Sequence, residues 1–224
     1  MIDARGITRT FKNGDVTTSV LKGIDLRIAD GEFLAIMGRS GAGKSTLLYQ
    51  LSLLDEPTTG IVTIDGLDTS TLSQHEKTSY RLRHMGFVFQ DYALIPELTA
   101  VENVMLPLLM RGISPWSARE KALEQLSQLG LEHRAAGLPS ELSGGEQQRV
   151  SIARAMVHEP KVLFADEPTA NLDQQAAKEV IEILEMLATK HKQTIVMVTH
   201  EAEYAKHANR IVHLRDGVVE RVST

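Results

Sequence analysis

The chain contains no cysteine, which removes disulfides, thiolate metal sites and cysteine nucleophiles from consideration. It also lacks an excess of positive charge, since 24 Lys and Arg stand against 29 Asp and Glu for a formal net charge of -5. That balance offers no footprint for duplex DNA or RNA, and none for a membrane surface attracted through bulk basic charge. No uninterrupted apolar run approaches the roughly 18 to 20 residues that span a bilayer. The opening Met1-Ile2-Asp3-Ala4-Arg5 lacks the apolar stretch of a secretory signal. Repeats, low-complexity tracts and Pro/Ser-rich linkers are missing as well. The expectation is one folded unit in the cytoplasm, with no nucleic-acid partner and no span of its own.

What the chain does have is 42% hydrophobic residues against 24% charged in 224 residues, enough for a sizeable core and a soluble surface. Short apolar runs recur. Phe33-Leu34-Ala35-Ile36-Met37 enters a glycine-rich loop, Val162-Leu163-Phe164-Ala165 ends at two acids, and Thr194-Ile195-Val196-Met197-Val198 ends at Thr199-His200. Continuous runs of this length predict strands buried on both faces, hence a parallel sheet covered by helices. Between the last two, Ala177, Val180, Ile181, Leu184, Leu187 and Ala188 draw one stripe on a helix, as a crossover requires.

Residues 2–35 and Ile61 to Gly66 alternate apolar and polar positions around turn signals such as Asn13-Gly14 and Asp30-Gly31, and Asp216-Gly217 separates two short strand candidates. These predict an antiparallel β-layer beside the parallel core. Residues 91–150 lack strand runs and carry helical patterns, notably Ala118 to Leu129, interrupted by Pro107, Pro115 and Pro139. They read as an inserted helical subdomain.

Gly38-Arg39-Ser40-Gly41-Ala42-Gly43-Lys44-Ser45 fits G-x-x-x-x-G-K-[ST] between an expected strand and a helix that continues through Thr46. Glycines let the backbone curl until its N–H groups converge on phosphate oxygens, and the helix N-terminus adds a positive dipole end. Lys44 is expected to reach the β- and γ-phosphates and the Ser45 hydroxyl to bind Mg²⁺. The loop points to triphosphate binding and does not choose between kinase, GTPase and ATPase.

Asp166 and Glu167 stand at the C-terminal end of a buried strand, where open α/β sheets bind ligands. Asp166 is the candidate to hold Mg²⁺ through water, and Glu167 the candidate to polarise the attacking water. His200 ends another buried strand and is a candidate contact for the γ-phosphate. Gln90, after Gly86-Phe87-Val88-Phe89, offers a neutral amide for Mg²⁺ or the attacking water.

Leu142-Ser143-Gly144-Gly145-Glu146-Gln147-Gln148-Arg149 resembles the signature of the ATP-binding-cassette ATPases. Physically it is a helix N-terminus with a Ser143–Glu146 capping box and close backbone approach, which makes a second anion site. The resemblance covers essentially the whole chain. It implies an α/β P-loop NTPase (RecA-like) fold, with a parallel-sheet core, an antiparallel β-layer and an inserted α-helical subdomain. Residues 1–224 then form one nucleotide-binding domain, with about 1–90 and 156–224 as core and about 91–155 as the helical part. It implies ATP and Mg²⁺ as ligands, with Gly38 to Ser45 as the Walker A loop, Asp166 and Glu167 as the Walker B pair, Gln90 as the Q-loop and His200 as the switch histidine. Phe11 matches the aromatic that stacks on adenine; by itself it reads as core. Asp173, in Asn171-Leu172-Asp173, matches the D-loop that couples two sites across a dimer. Ser143, Gly144, Gly145 and Glu146 are implied to bind the γ-phosphate held by a second copy in a head-to-tail homodimer.

Leu53 to Gly60, Gly86 through Val104 and Ala165 to Asp173 look most like the MacB/LolD/FtsE branch, which serves macrolide export, lipoprotein release and cell division. Ala170 departs from it, since glycine is commoner there. The resemblance implies an ATPase at the cytoplasmic face of the membrane, driving a permease on a separate chain. Leu94, Ile95 and Leu98 beside Pro96 fit either a groove for that partner's coupling helix or subdomain core. The alternative function is a soluble cassette ATPase acting on DNA or the ribosome, whose relatives carry paired cassettes, zinc fingers or basic insertions that these residues lack.

Overall fold

A computed structural model describes residues 2–14 and 16–224 of the chain. Strands β1 (Ile2–Asn13) and β2 (Val16–Ile28) pair antiparallel; Met1 and Asp15 lie outside the described residues. Strand β3 (Phe33–Gly38) begins the core sheet, and helix α1 (Lys44–Leu51) follows it. Strands β4 (Thr59–Ile64) and β5 (Leu67–Asp68) return to the first layer, completing an antiparallel sheet in the order β2-β1-β4-β5.

Helix α2 (Gln74–His84) leads to β6 (Met85–Val88). Helices α3 (Ala100–Met110), α4 (Pro115–Gln128) and α5 (Gly144–Met156) fill the stretch before β7 (Val162–Asp166). Helix α6 (Gln174–Lys190) crosses to β8 (Thr194–Thr199), and the short α7 (Ala202–Ala205) precedes β9 (Arg210–Arg215) and β10 (Val218–Ser223). The core sheet runs β10-β9-β3-β8-β7-β6, parallel throughout except for β10.

The pleat explains the layering, because successive side chains of a strand point to opposite faces. Leu34, Ile36, Phe164, Val196 and Val198 pack with Leu47, Leu48 and Leu51 of α1 and with Ile2, Ile24 and Val62 of the antiparallel layer. Their neighbours Ala35, Leu163, Ala165, Ile195 and Met197 face the other way, onto Val150 and Ala153 of α5 and Val180, Ile181 and Leu184 of α6. Every residue of β7 and β8 is buried, as continuous apolar runs require.

Four details depart from expectation. The β9–β10 hairpin joins the core sheet, with β9 parallel to β3, and does not join the antiparallel layer. Strand β6 stops at Val88, so Gln90 lies two residues beyond it in a turn. Pro107 sits inside α3 without ending it, and Arg111 N–H still donates to the Pro107 carbonyl at 3.2 Å. Helix α2 has too little apolar pattern to declare itself; the readable signal is its Ser73–Glu76 capping box. Among the described residues no helix is long and apolar enough to cross a membrane.

His158 follows α5 where the chain turns back toward the sheet. Its Nε2 lies 3.0 Å from the Met85 carbonyl, its Nδ1 is buried without a partner, and Arg111 donates to its carbonyl at 3.0 Å. Burial chiefly holds its pKa below the ordinary 6.5. The unfolded chain therefore binds a proton that the folded chain refuses. Stability is complete above about pH 6.5 and falls as pH drops through the window down to the depressed folded value. Thermal melts from pH 7.5 to 5 should show this loss, and His158→Asn should flatten the curve in that window.

Candidate functional site

The loop after β3 is shaped by its glycines. Gly43 takes φ +97° as the residue before α1, and a Cβ there would lie 2.9 Å from Leu21 Cδ2 and 3.2 Å from the Val20 carbonyl. A Cβ on Gly38 would stand 2.5 Å from the Leu214 carbonyl. The loop is thus pressed against β2 on one side and β9 on the other. Helices α2, α3, α4, α5 and α6 each begin with a side-chain N-cap, whereas α1 has neither a side-chain cap nor an acid in its first turn. Its N-terminus keeps the partial positive charge that the caps of the others satisfy.

Lys44 is buried, and its ammonium lies 3.4 Å from the Arg39 carbonyl and 3.5 Å from Glu167 Oε1. The Ser45 hydroxyl donates to Asp166 Oδ1 at 2.8 Å, and the Tyr49 phenol donates to Asp166 Oδ2 at 2.9 Å. Asp166 ends β7 and is only 6% exposed. Burial raises its pKa, opposed by the two hydroxyls and reinforced by the Glu167 charge. A desolvated carboxylate beside a serine hydroxyl, with neutral donors on both oxygens, is a donor set suited to a hard cation such as Mg²⁺.

Glu167 takes φ +44°, a left-handed conformation that is strained for a side chain of this type. Its N–H donates to the Val198 carbonyl at 3.0 Å, and its Oε2 lies 3.1 Å from His200 Nδ1. Both acids and the histidine come from adjacent strands of the core sheet, and Ser45 reaches Asp166 from α1. An open cleft of about 1030 Å³ is lined by Gly38 to Ala42, Lys44, Glu167 and His200, with Ser45 and Asp166 not among its lining residues. His213, Arg215, Asp216 and Glu220 of the C-terminal hairpin line its far side. Sequence patterning does not bring them here, because it assigns the hairpin to the antiparallel layer.

Of the remaining expected residues, Arg39, Ser40 and Gly41 line that cleft, whereas Phe11, Thr46, Gln90 and Asp173 do not. Phe11 is 44% exposed with the Arg9 guanidinium 4.5 Å from its ring centre, so the core assignment is wrong for it. It pairs with Thr18 on the ribbon whose Val20 abuts Gly43. Thr46 is half-buried in the first turn of α1, and Arg39, Ser40 and Gly41 are exposed. The exposed Gln90 is tied by its carbonyl to Asn171 Nδ2 at 3.1 Å. Asp173 caps α6 through the Ala176 N–H at 2.8 Å.

Ser143, Gly144, Gly145 and Glu146 are not among the residues that line the cleft. Ser143 caps α5 in a reciprocal box with Glu146, and Arg134 binds Glu146 at 2.7 Å, chiefly by that bond holding its pKa down at about 2. The glycines also have packing reasons within the chain. A Cβ on Gly145 would meet the Ala176 methyl at 2.9 Å, and one on Gly144 the Tyr92 hydroxyl at 2.9 Å. Sequence reasoning missed Tyr49, although its place four residues after Ser45 puts both on one helix face.

Known proteins resemble this chain along nearly its whole length. The family described as ABC transporter matches residues 21–170. The lipoprotein-releasing system ATP-binding protein LolD of Geobacter metallireducens is 47% identical over 219 residues, covering 98% of this chain and 97% of LolD. The macrolide export ATP-binding/permease protein MacB of Syntrophobacter fumaroxidans is 44% identical over 222 residues, covering 98% of this chain. The chain spans only 31% of that protein's length. The dimeric post-hydrolysis structure of the ATP-binding cassette MJ0796, bound to ADP and Pi, superposes with a TM-score of 0.93 at 42% identity, over 100% of this chain and 98% of the other. The chain belongs to the ABC transporter family, as an ATP-binding, ATP-hydrolysing subunit related to MacB and LolD.

Proposed function

We propose that the chain is a Mg²⁺-dependent ATPase, two copies of which close head to tail on two ATP molecules to drive a permease at the cytoplasmic face of the membrane. The observation that carries this reading is the split between two motif-bearing helix starts, at α1 and at α5. The α1 end opens onto the cleft with Lys44, Glu167 and His200, while the α5 end at Ser143 is not among the cleft's lining residues. A second copy is the economical way to bring a Ser143 end to each cleft.

In this scheme Lys44 leaves its contacts with Arg39 and Glu167 for the phosphates. The backbone of Gly38 to Ser45, with Thr46 behind it, cradles them, and Phe11 offers its exposed ring to the adenine. Ser45 and Asp166, with the Gln90 amide, would hold Mg²⁺, which neutralises charge on the β- and γ-phosphates when bound. Glu167 polarises the attacking water, and His200 holds the Glu167 carboxylate while facing the γ-phosphate. Ser143, Gly144 and Gly145 present the α5 N-terminus to the partner's γ-phosphate; Glu146 serves by fixing that end. Asp173, at the α6 cap, faces the dimer contact.

LolD is the ATP-binding component of a lipoprotein-releasing system, and MacB joins an ATP-binding part to a permease. By analogy the permease of this chain is a separate protein in an export, lipoprotein-release or mechanical-transmission complex. Leu94 packs on the helical core, whereas Ile95 is 41% exposed beside it, so Ile95 is the better docking residue. The test uses the chain alone and joined to its copurified membrane partner. The lone chain should release phosphate from ATP with Mg²⁺ and stop in EDTA. Ile95→Glu should keep that rate and lose at least tenfold of the partner's stimulation. Equal turnover in EDTA would contradict the ATPase scheme, and full stimulation of Ile95→Glu the docking assignment.

A further inference from the structure

We propose that Tyr49 is a positioning residue for the divalent cation, its phenol fixing the plane of the Asp166 carboxylate so that one oxygen stays presented to the metal site. The inference rests on the Mg²⁺-dependent ATPase reading and deepens it.

An aspartate carboxylate turns easily, because its terminal torsion is broad and roughly two-fold. Here it is bracketed. Ser45 Oγ donates to Oδ1 at 2.8 Å and Tyr49 Oη donates to Oδ2 at 2.9 Å. The two donors stand four residues apart on α1, so the helix sets their spacing, and both reach across 121 and 117 residues of sequence to the same side chain.

The two donors do not have equal freedom. Ser45 turns its oxygen lone pairs toward a cation when it serves as a ligand, and its hold on Oδ1 then depends on the metal geometry. Tyr49 has no such second duty. It stays a donor at physiological pH, since burial and then the Asp166 charge push its phenol up to about 12.

Packing alone does not account for the phenol. The Tyr49 ring lies 6.0 Å from that of Phe87, which contacts Phe89 at 4.3 Å and Phe164 at 6.2 Å. A phenylalanine would serve that aromatic group equally well. The hydroxyl is the part with a separate purpose, and its partner is the carboxylate of the metal site. Groups that orient a ligating carboxylate typically change metal affinity by about 10- to 100-fold when removed.

The test is Tyr49→Phe, which keeps the ring and removes the donor. The ADP-bound chain is titrated with Mg²⁺ while its melting temperature is followed, with ADP in EDTA as the control. The expected result is a half-effective Mg²⁺ concentration about tenfold higher than in the parent chain. ADP affinity in EDTA is unchanged, and turnover returns at excess Mg²⁺. Coincident Mg²⁺ curves overturn the proposal. So does a parallel loss of ADP affinity in EDTA, which marks general damage to the site. A parent chain that binds ADP without any response to Mg²⁺ overturns the underlying Mg²⁺ reading and this inference with it.

Discussion

Replacing Glu167 by Gln should lower ATP turnover by roughly a thousandfold, within the range a positioned base supplies, and leave the chain as an ATP-bound dimer. That factor corresponds to about 4 kcal/mol of transition-state stabilisation. The substitution is close to isosteric, so what changes is charge. The Glu167 backbone is fixed at φ +44° with its N–H on the Val198 carbonyl, and neither feature needs the carboxylate. A glutamine in that place can still meet His200 Nδ1. It cannot draw a proton from water, and it no longer competes with the phosphates for Lys44, now 3.5 Å from Oε1. Binding should therefore persist or tighten while chemistry stops. Phosphate release measures the loss, and light scattering after size exclusion with ATP and Mg²⁺ measures the dimer. A variant that stays monomeric at saturating ATP, or that turns over like the parent, would falsify the scheme.

Mixing a Ser143→Arg chain with a Lys44→Ala chain should restore ATP trapping that neither shows alone. In a head-to-tail pair, one site joins the intact Lys44 loop of the first chain to the intact Ser143 end of the second. The other site carries both defects. Each homodimer has a defect in both of its sites, so the rescue has only one source. Ser143→Arg is tolerable for the fold: it removes the α5 cap, at a cost of about 1 kcal/mol, while Arg134 still anchors Glu146 at 2.7 Å. Radioactive ATP retained by the mixture after desalting gives the readout. Retention no greater than the sum of the separate chains would sink the composite site, and retention by the Ser143→Arg chain alone would show that each cleft works unaided.

The phosphate loop is legible in the residues themselves because its meaning is local. Gly38 to Ser45 is one strand end, one turn and one helix start, and eight consecutive residues state all three. The strands at 162–166 and 194–199 are legible for a related reason, since burial on both faces leaves a run with little polar interruption. The α6 stripe at Ala177, Val180, Ile181, Leu184 and Leu187 is buried as its spacing requires, and Ala188, the last residue of the expected stripe, is half-buried against the same core.

Legibility ends where the deciding contact is distant. Nothing near Asp216-Gly217 says which sheet its strands join; β9 is chosen by its parallel register with β3, Leu34 to Arg210. That pairing brings His213 and Arg215 to the cleft. Phe11 by itself reads as core because aromatic residues usually are, yet a strand at the end of an antiparallel ribbon can leave one face open.

The sequence by itself determined the family, the two motif-bearing helix starts and the candidate acids, because each is written in a few contiguous residues. Tertiary structure alone decided which of them meet. Ser45 and Tyr49 find Asp166, and Lys44 and His200 find Glu167, only after the pleat has sorted alternate side chains to opposite faces and the crossover helices have brought distant strands side by side. It also decided that Ser143 to Glu146 stay out of the cleft. Local motifs fix what a residue can do, and non-local pairing fixes what it can reach.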